Sequence, residues 1–285
     1  MKPESPSDRA SLPVRGATRL RLEIPSSGPL YEGHFPGRPI LPGVGLLDLA
    51  LRALAAGASP ALRAIASLRL RRLVAPGDIL ELDAQALDPD GRTRLEVRRA
   101  AEVVAHGVVV LGEPASGPAA AGVPERPYAM GPGTPATRTG RTSGVPDLDD
   151  LLPHRPPMRF VEGIETEIES GVVCAVRIPE RSPFSAGSFA PALVALEMAA
   201  QSAAVYEALG RFRKTEEAGA RIGYLVGARD VRFTRARVPA GETLFASVRL
   251  SGIALPLCTY SFDVAQESEV VASGTLSTWL TATGV

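Results

Sequence analysis

The chain has 285 residues, with 31 Lys and Arg balanced by 31 Asp and Glu, 45% apolar residues and two cysteines. That length exceeds an ordinary compact domain and accommodates two, each with enough apolar residues to fill a core. The zero formal charge gives no indication of a nucleic-acid partner, and no run of about eighteen apolar residues offers a membrane span. Cys174 and Cys258 each lie in strand-like apolar surroundings; two such residues make neither a disulfide framework nor a metal site and read as small core residues. Residues 1–17 begin with the polar, proline-broken Met1-Lys2-Pro3-Glu4-Ser5-Pro6, which predicts a disordered start and, as the default, a cytoplasmic location.

In chain order, the alternation of Leu20-Arg21-Leu22-Glu23-Ile24 predicts a strand. Next comes a loop punctuated by glycine and proline, Gly33-His34-Phe35-Pro36-Gly37-Arg38-Pro39-Ile40-Leu41-Pro42-Gly43, which should hold His34 on backbone of restricted shape. A helix then runs from about Gly43 to Ala56, apolar on nearly every side and stopped by Gly57 and Pro60. So wide an apolar face suits a helix lying against a concave sheet, with Asp48 interrupting it. Strands are predicted over 68–74, 79–86 and 93–111, with a turn at Asp90-Gly91.

Residues 113–147 are dominated by Gly, Pro, Ala, Ser and Thr and read as a linker. The segment 148–285 repeats the plan of 18–112: strands around 160–178, an apolar helix from about Ala192 to Leu209 interrupted by Glu197, then a strand over 231–238. Even the late strands correspond, Glu102-Val103-Val104-Ala105-His106-Gly107 with Glu269-Val270-Val271-Ala272-Ser273-Gly274. Two domains of like design joined by a flexible connection are expected.

The block from Gly33 to Val44, with Asp48 in the second turn of its helix, resembles the active-site segment of the beta-hydroxyacyl-acyl-carrier-protein dehydratases of the hotdog superfamily, in order and in spacing. The resemblance covers roughly 18–112 and, less sharply, 148–282. It implies an α+β double hotdog: two antiparallel sheets, each wrapped around a central helix, paired as a pseudo-dimer. It also implies removal of water from a 3-hydroxyacyl thioester without a cofactor or a metal, with an acyl carrier protein as partner. Fatty-acid, polyketide and aryl-polyene synthesis are the settings it suggests.

Such chemistry needs a base for the alpha C–H, an acid for the beta hydroxyl and donors for the thioester oxygen. His34, with an ordinary pKa near 6.5, suits the base. The unsatisfied amide of Gly43, at the positive end of its helix, suits the oxygen, with Phe35 and Pro42 as neighbouring substrate-binding candidates. A carboxyl among Leu and Ala side chains should have a raised pKa and keep a proton for the hydroxyl, and both Asp48 and Glu197 qualify. Glu197, in Ala195-Leu196-Glu197-Met198-Ala199-Ala200-Gln201, resembles the family's helix segment, but no histidine stands at the matching place near Pro183. In the dimeric dehydratases the histidine works with the acidic residue of the other protomer, which implies pairing His34 with Glu197 across the halves. The rival arrangement joins His34 to Asp48 of another chain.

Plainer readings stand beside these. Asp48 and Arg52 are four residues apart and suit a helical ion pair, and Glu197 with Gln201 a buried hydrogen-bonded pair. His154, in Leu151-Leu152-Pro153-His154-Arg155-Pro156-Pro157-Met158, resembles a segment near the start of these dehydratases and is expected to be structural, while His106 has no evident partner. Arginines at 69, 71, 72, 211, 213, 235 and 237, with Lys214, suit either a carrier protein's acidic surface or its phosphopantetheine, or else a solvated face. A hotdog thioesterase and a non-catalytic acyl-carrier-binding subunit are the competing functions.

Overall fold

The computed structural model describes residues 16–56, 61–112, 146–215 and 221–284. The linker expected over 113–147 and the disordered start expected over 1–17 fall almost wholly outside them. The first half consists of β1 (Thr18–Glu23), α1 (Gly43–Leu54), β2 (Leu62–Leu70), β3 (Ile79–Ala84), β4 (Arg92–Arg99) and β5 (Glu102–Leu111). The second consists of α2 (Leu148–Leu151), β6 (Val161–Ile168), β7 (Gly171–Arg177), β8 (Phe189–Pro191), α3 (Ala195–Thr215), β9 (Arg221–Phe233), β10 (Arg237–Pro239), β11 (Thr243–Ala254), β12 (Leu257–Gln266) and β13 (Glu269–Gly284).

Eleven strands form one antiparallel sheet in the order β1-β3-β4-β5-β2-β9-β13-β12-β11-β7-β6, while β8 and β10 make a short ribbon of their own. The sequence leads one to expect two sheets; the structure joins them edge to edge through β2 and β9, with Ile65 opposite Val231 and Leu68 opposite Ala228. Each strand would otherwise end its half-sheet with a row of unpaired N–H and C=O groups, and the pairing removes both edges. Ile65 and Val231 are fully buried at this seam. Strand order runs outward from it in matching fashion, β2, β5, β4, β3 on one side and β9, β13, β12, β11 on the other, which makes the protein a double hotdog.

That symmetry explains the corresponding late strands. β5 lies beside β2 and β13 beside β9, and each carries a glycine where the neighbouring backbone comes too close for a side chain. A Cβ on Gly107 would stand 2.5 Å from the Ser67 carbonyl oxygen, and one on Gly274 2.7 Å from Val231 Cα. Alternation along the strands supplies the core: in β3, Leu80, Leu82 and Ala84 are buried while Ile79 and Glu81 face out. Full burial of a leucine stabilises by about 1.5–3 kcal/mol. The strand predicted over 68–74 coincides with β2 only at its start. The strand ends at Leu70; Arg71 N–H still donates to the Val104 carbonyl of β5 at 2.8 Å, and the Val74 carbonyl then accepts from Leu41 N–H at 2.9 Å, tying the His34 loop down.

Both central helices are preceded by a proline, Pro42 before α1 and Pro191 before the 3-10 turn Ala192–Val194 that leads into α3. The proline φ is preset for such a start. The segment Ala192–Lys214 has the length and composition of a membrane span, but 78% of its apolar window is buried against the fold, so it is a core helix. Cys174 and Cys258 are buried strand residues whose thiols burial pushes up, to about 12 and about 11, so both remain protonated near neutrality.

Candidate functional site

The His34 loop is shaped by its own backbone. His34 N–H donates to Tyr31 at 3.1 Å, Arg38 N–H to Phe35 at 3.0 Å and Ile40 N–H to His34 at 3.3 Å. The ring Nδ1 lies 3.1 Å from the Ile40 carbonyl oxygen. A carbonyl only accepts, so Nδ1 carries the hydrogen and Nε2 of the neutral ring keeps a free lone pair. Phe35 stacks on the imidazole, ring centres 4.2 Å apart, and packs with Ile40 against Ile222 of β9. A side chain of the first half thereby anchors His34 on the second.

Gly33 makes the other junction. Its carbonyl accepts from Arg155 N–H at 3.0 Å, its φ is +81°, and a Cβ there would stand 1.9 Å from the Arg155 carbonyl oxygen. Gly33→Ala should therefore destabilise by at least about 1–3 kcal/mol through left-handed strain alone and move His154 away from His34. Denaturant unfolding checks this; an unchanged midpoint would contradict it.

His154 arrives through that junction. Its ring centre is 5.3 Å from that of His34, and its Nε2 lies 3.5 Å from Glu197 Oε1 on α3. Gln201, one turn further along α3, is fully buried. Its amide nitrogen donates to Glu197 Oε1 at 3.1 Å and to the Met158 carbonyl at 2.8 Å, and its oxygen accepts from Phe160 N–H at 2.8 Å. Gln201 thus fixes the glutamate's orientation and clamps the strand-like stretch after His154 onto the helix. The ligand-capable atoms of His34, His154 and Glu197 all lie within 4.8 Å of one another, with each residue less than a tenth exposed.

Burial, with the repulsion of His154, lowers His34 from 6.5 to about 4 despite the opposing pull of Glu197. Glu197 differs from expectation. Burial pushes its pKa up, but the hydrogen bond and charge of His154, with His34 and Gln201, outweigh burial and hold it below the ordinary carboxylate value. The raised pKa foreseen for a carboxyl among Leu and Ala overlooked the polar partners that the fold brings to it.

These groups open onto a cavity of about 670 Å³ between the halves. Gly43 lines it at the start of α1, a helix end with no side-chain cap, and a Cβ on Gly43 would stand 2.4 Å from Leu70 Cδ1. In the second half the corresponding N–H, that of Ala192, donates to the Ala236 carbonyl at 3.0 Å and is not available to a ligand. From Glu197 the cavity tracks one face of α3 past Ala200 and Ala204 to Glu207 and Arg211, and Arg69, Arg71 and Arg72 also line it. Phe35 also lines it; Pro42 does not, serving instead as the residue before α1.

Asp48 is not among the cavity residues. It is bonded to Arg52, Oδ2 to Nε at 2.8 Å, and burial raises its pKa against that arginine's opposition. Arg72, Arg213 and Arg235 are paired with Glu102, Glu167 and Glu269. His154 is the site residue to which sequence reasoning gave a structural role. Its signal was present in the Leu151 to Met158 block, but only the fold shows that this block lies against Gly33 and Glu197.

A double hotdog holding a His/His/Glu cluster in a cavity between its halves defines the class of protein. Residues 13–108 match a family model described as ApeI dehydratase, and residues 146–282 one described as ApeP dehydratase. The 3-hydroxyacyl-[acyl-carrier-protein] dehydratase FabZ of Anaeromyxobacter sp. (strain K) is 35% identical over 113 residues, 38% of this chain and 70% of that protein. FabZ of Clostridium acetobutylicum is 35% identical over 72 residues, 22% of this chain and 50% of that protein. The chain thus spans about half the length of several of the curated relatives it matches. In fold it resembles the dehydratase domain of PpsC from Mycobacterium tuberculosis, solved in complex with C12:1-CoA, with a TM-score of 0.60, 16% identity and 96% of each chain covered. This chain belongs to the 3-hydroxyacyl-[acyl-carrier-protein] dehydratase family.

Proposed function

We propose that the chain dehydrates 3-hydroxyacyl thioesters carried by an acyl carrier protein to trans-2-enoyl thioesters, through one site built from two hotdog halves, 18–112 and 148–285. The observation that carries the reading is the meeting of His34 from the first half with Glu197 and His154 from the second, beside the uncapped start of α1. Nε2 of His34 takes the alpha proton, and the electrons of that C–H bond pass to the thioester oxygen, which the Gly43 amide receives. They return to form the alpha-beta double bond as the beta C–O bond breaks, and the hydroxyl leaves as water with a proton delivered at Glu197. Because Glu197 is held as a carboxylate at rest, the proton it delivers is the alpha proton, passed to it from the His34 imidazolium within 4.8 Å.

The cavity along α3 accommodates the acyl chain, and Arg69 and Arg71 suit the phosphate of the carrier's pantetheine arm. Aryl-polyene synthesis is the setting favoured by the order of the two family matches, and the cytoplasm the compartment in which such carriers would be met.

A depressed His34 has a measurable consequence. Its neutral form is the base, so activity should persist as pH falls below 6.5 and fail toward about 4. Stability carries the same sign: between those values the unfolded chain binds more protons, so His34 favours folding above 6.5 and progressively less as pH falls to about 4. A kcat/KM profile checks the first statement, and an acid limb centred between 6 and 7 would contradict it.

A further inference from the structure

We propose that His34, His154 and Glu197 also form a binding site for a divalent transition-metal ion of the zinc type, and that an ion bound there shuts the site off. Two imidazoles and one carboxylate are a ligand set that zinc takes readily. Tetrahedral zinc at ordinary bond lengths holds its ligand atoms about 3.4 Å apart. Nε2 of His154 and Oε1 of Glu197 stand at 3.5 Å, and no pair in the cluster exceeds 4.8 Å. Small side-chain adjustments therefore close the set without moving the backbone.

Outer contacts of the kind that orient metal ligands are already in place. The Ile40 carbonyl fixes the His34 tautomer with Nε2 free, and Gln201 holds the carboxylate. Nδ1 of His154 is buried and has no partner among the described residues, so one of the three ligands lacks outer support. Two braced ligands and one unbraced describe an exchangeable site rather than a resident one. The cavity leaves a fourth position open to water. A single carboxylate beside two nitrogens disfavours calcium and magnesium, which take mainly oxygen ligands.

Binding depends only on this geometry; its effect on turnover rests on the dehydratase reading. A metal at this position takes the lone pair that His34 would use as a base and an oxygen of Glu197, so neither proton transfer proceeds.

The test is titration of the untagged, chelator-treated full chain with zinc chloride by calorimetry, together with the visible spectrum of the unsubstituted chain in cobalt(II). One ion per chain is expected, with cobalt bands of a four- or five-coordinate nitrogen and oxygen site. His34→Ala and His154→Ala, each verified as folded by its melting curve, should weaken binding at least roughly tenfold. Zinc at saturating concentration should abolish dehydration, and a chelator should restore it. Absence of saturable binding, a cobalt-treated chain without visible bands, or binding that survives loss of either histidine would overturn the proposal. A chain that binds zinc here yet dehydrates nothing retains the metal site and loses the reaction assigned above; one that dehydrates without binding zinc does the reverse.

Discussion

His34→Ala is expected to lower kcat/KM for dehydration of a 3-hydroxyacyl carrier-protein substrate by roughly 10²–10⁴-fold, the range for losing a positioned general base. Among the described residues the fold offers no replacement. His106 lines the cavity, but it belongs to β5, whereas among the described residues the cluster around Glu197 consists of His34 and His154. His154 cannot take over as base while its Nε2 faces Glu197 Oε1 at 3.5 Å. Folding should survive, because His34 contributes one ring hydrogen bond and the loop is held by backbone bonds of Tyr31, Phe35 and Val74. Retention of more than a tenth of the activity by a folded His34→Ala protein would show that another group takes the alpha proton.

Glu197→Gln is the second large effect, and its value lies in comparison with Asp48→Asn. Losing Glu197 removes the carboxylate that His154 and Gln201 hold toward His34, for an expected fall of roughly 10²–10⁴-fold in kcat/KM at little cost in packing. Asp48→Asn should leave activity within a few-fold, since Asp48 is bonded to Arg52 and stands apart from the cavity residues. Its effect on stability should stay below about 1 kcal/mol, because a helical i,i+4 pair is worth about 0.3–0.5 kcal/mol and a buried carboxylate is removed with it. Paired kinetics and denaturant unfolding of the two variants check this. A dead Asp48→Asn protein with an active Glu197→Gln one would instead support a site formed between two chains.

Much of the fold was legible because its signals are local. Alternation marked β1 and β3, and the broad apolar faces marked α1 and α3. The correspondence of 102–107 with 269–274 reflects equal places beside the seam strands. Local pattern does not encode how distant segments meet. Nothing in β2 or β9 alone states that their edges pair, so one joined sheet took the place of two.

The candidate site divides along the same line. His34, Gly43 and Glu197 were marked by motif and helix position. His154 was not, because its role depends on Arg155 reaching Gly33 and on Gln201 holding Met158 and Phe160. The direction of the Glu197 shift was missed for the same reason: burial can be read from neighbouring Leu and Ala residues, but a buried histidine some forty residues earlier in the chain cannot.

If one composite site in this chain removes water from a carrier-bound 3-hydroxyacyl thioester, the product differs from the substrate by a fixed mass. Mass spectrometry of a 3-hydroxyacyl acyl carrier protein incubated with the unsubstituted chain reads that difference without intermediaries. Conversion to a species lighter by one water is expected, slowed roughly 10²–10⁴-fold for Glu197→Gln. Release of the free carrier thiol, or a substrate unchanged by the unsubstituted chain, would contradict the composite dehydratase site.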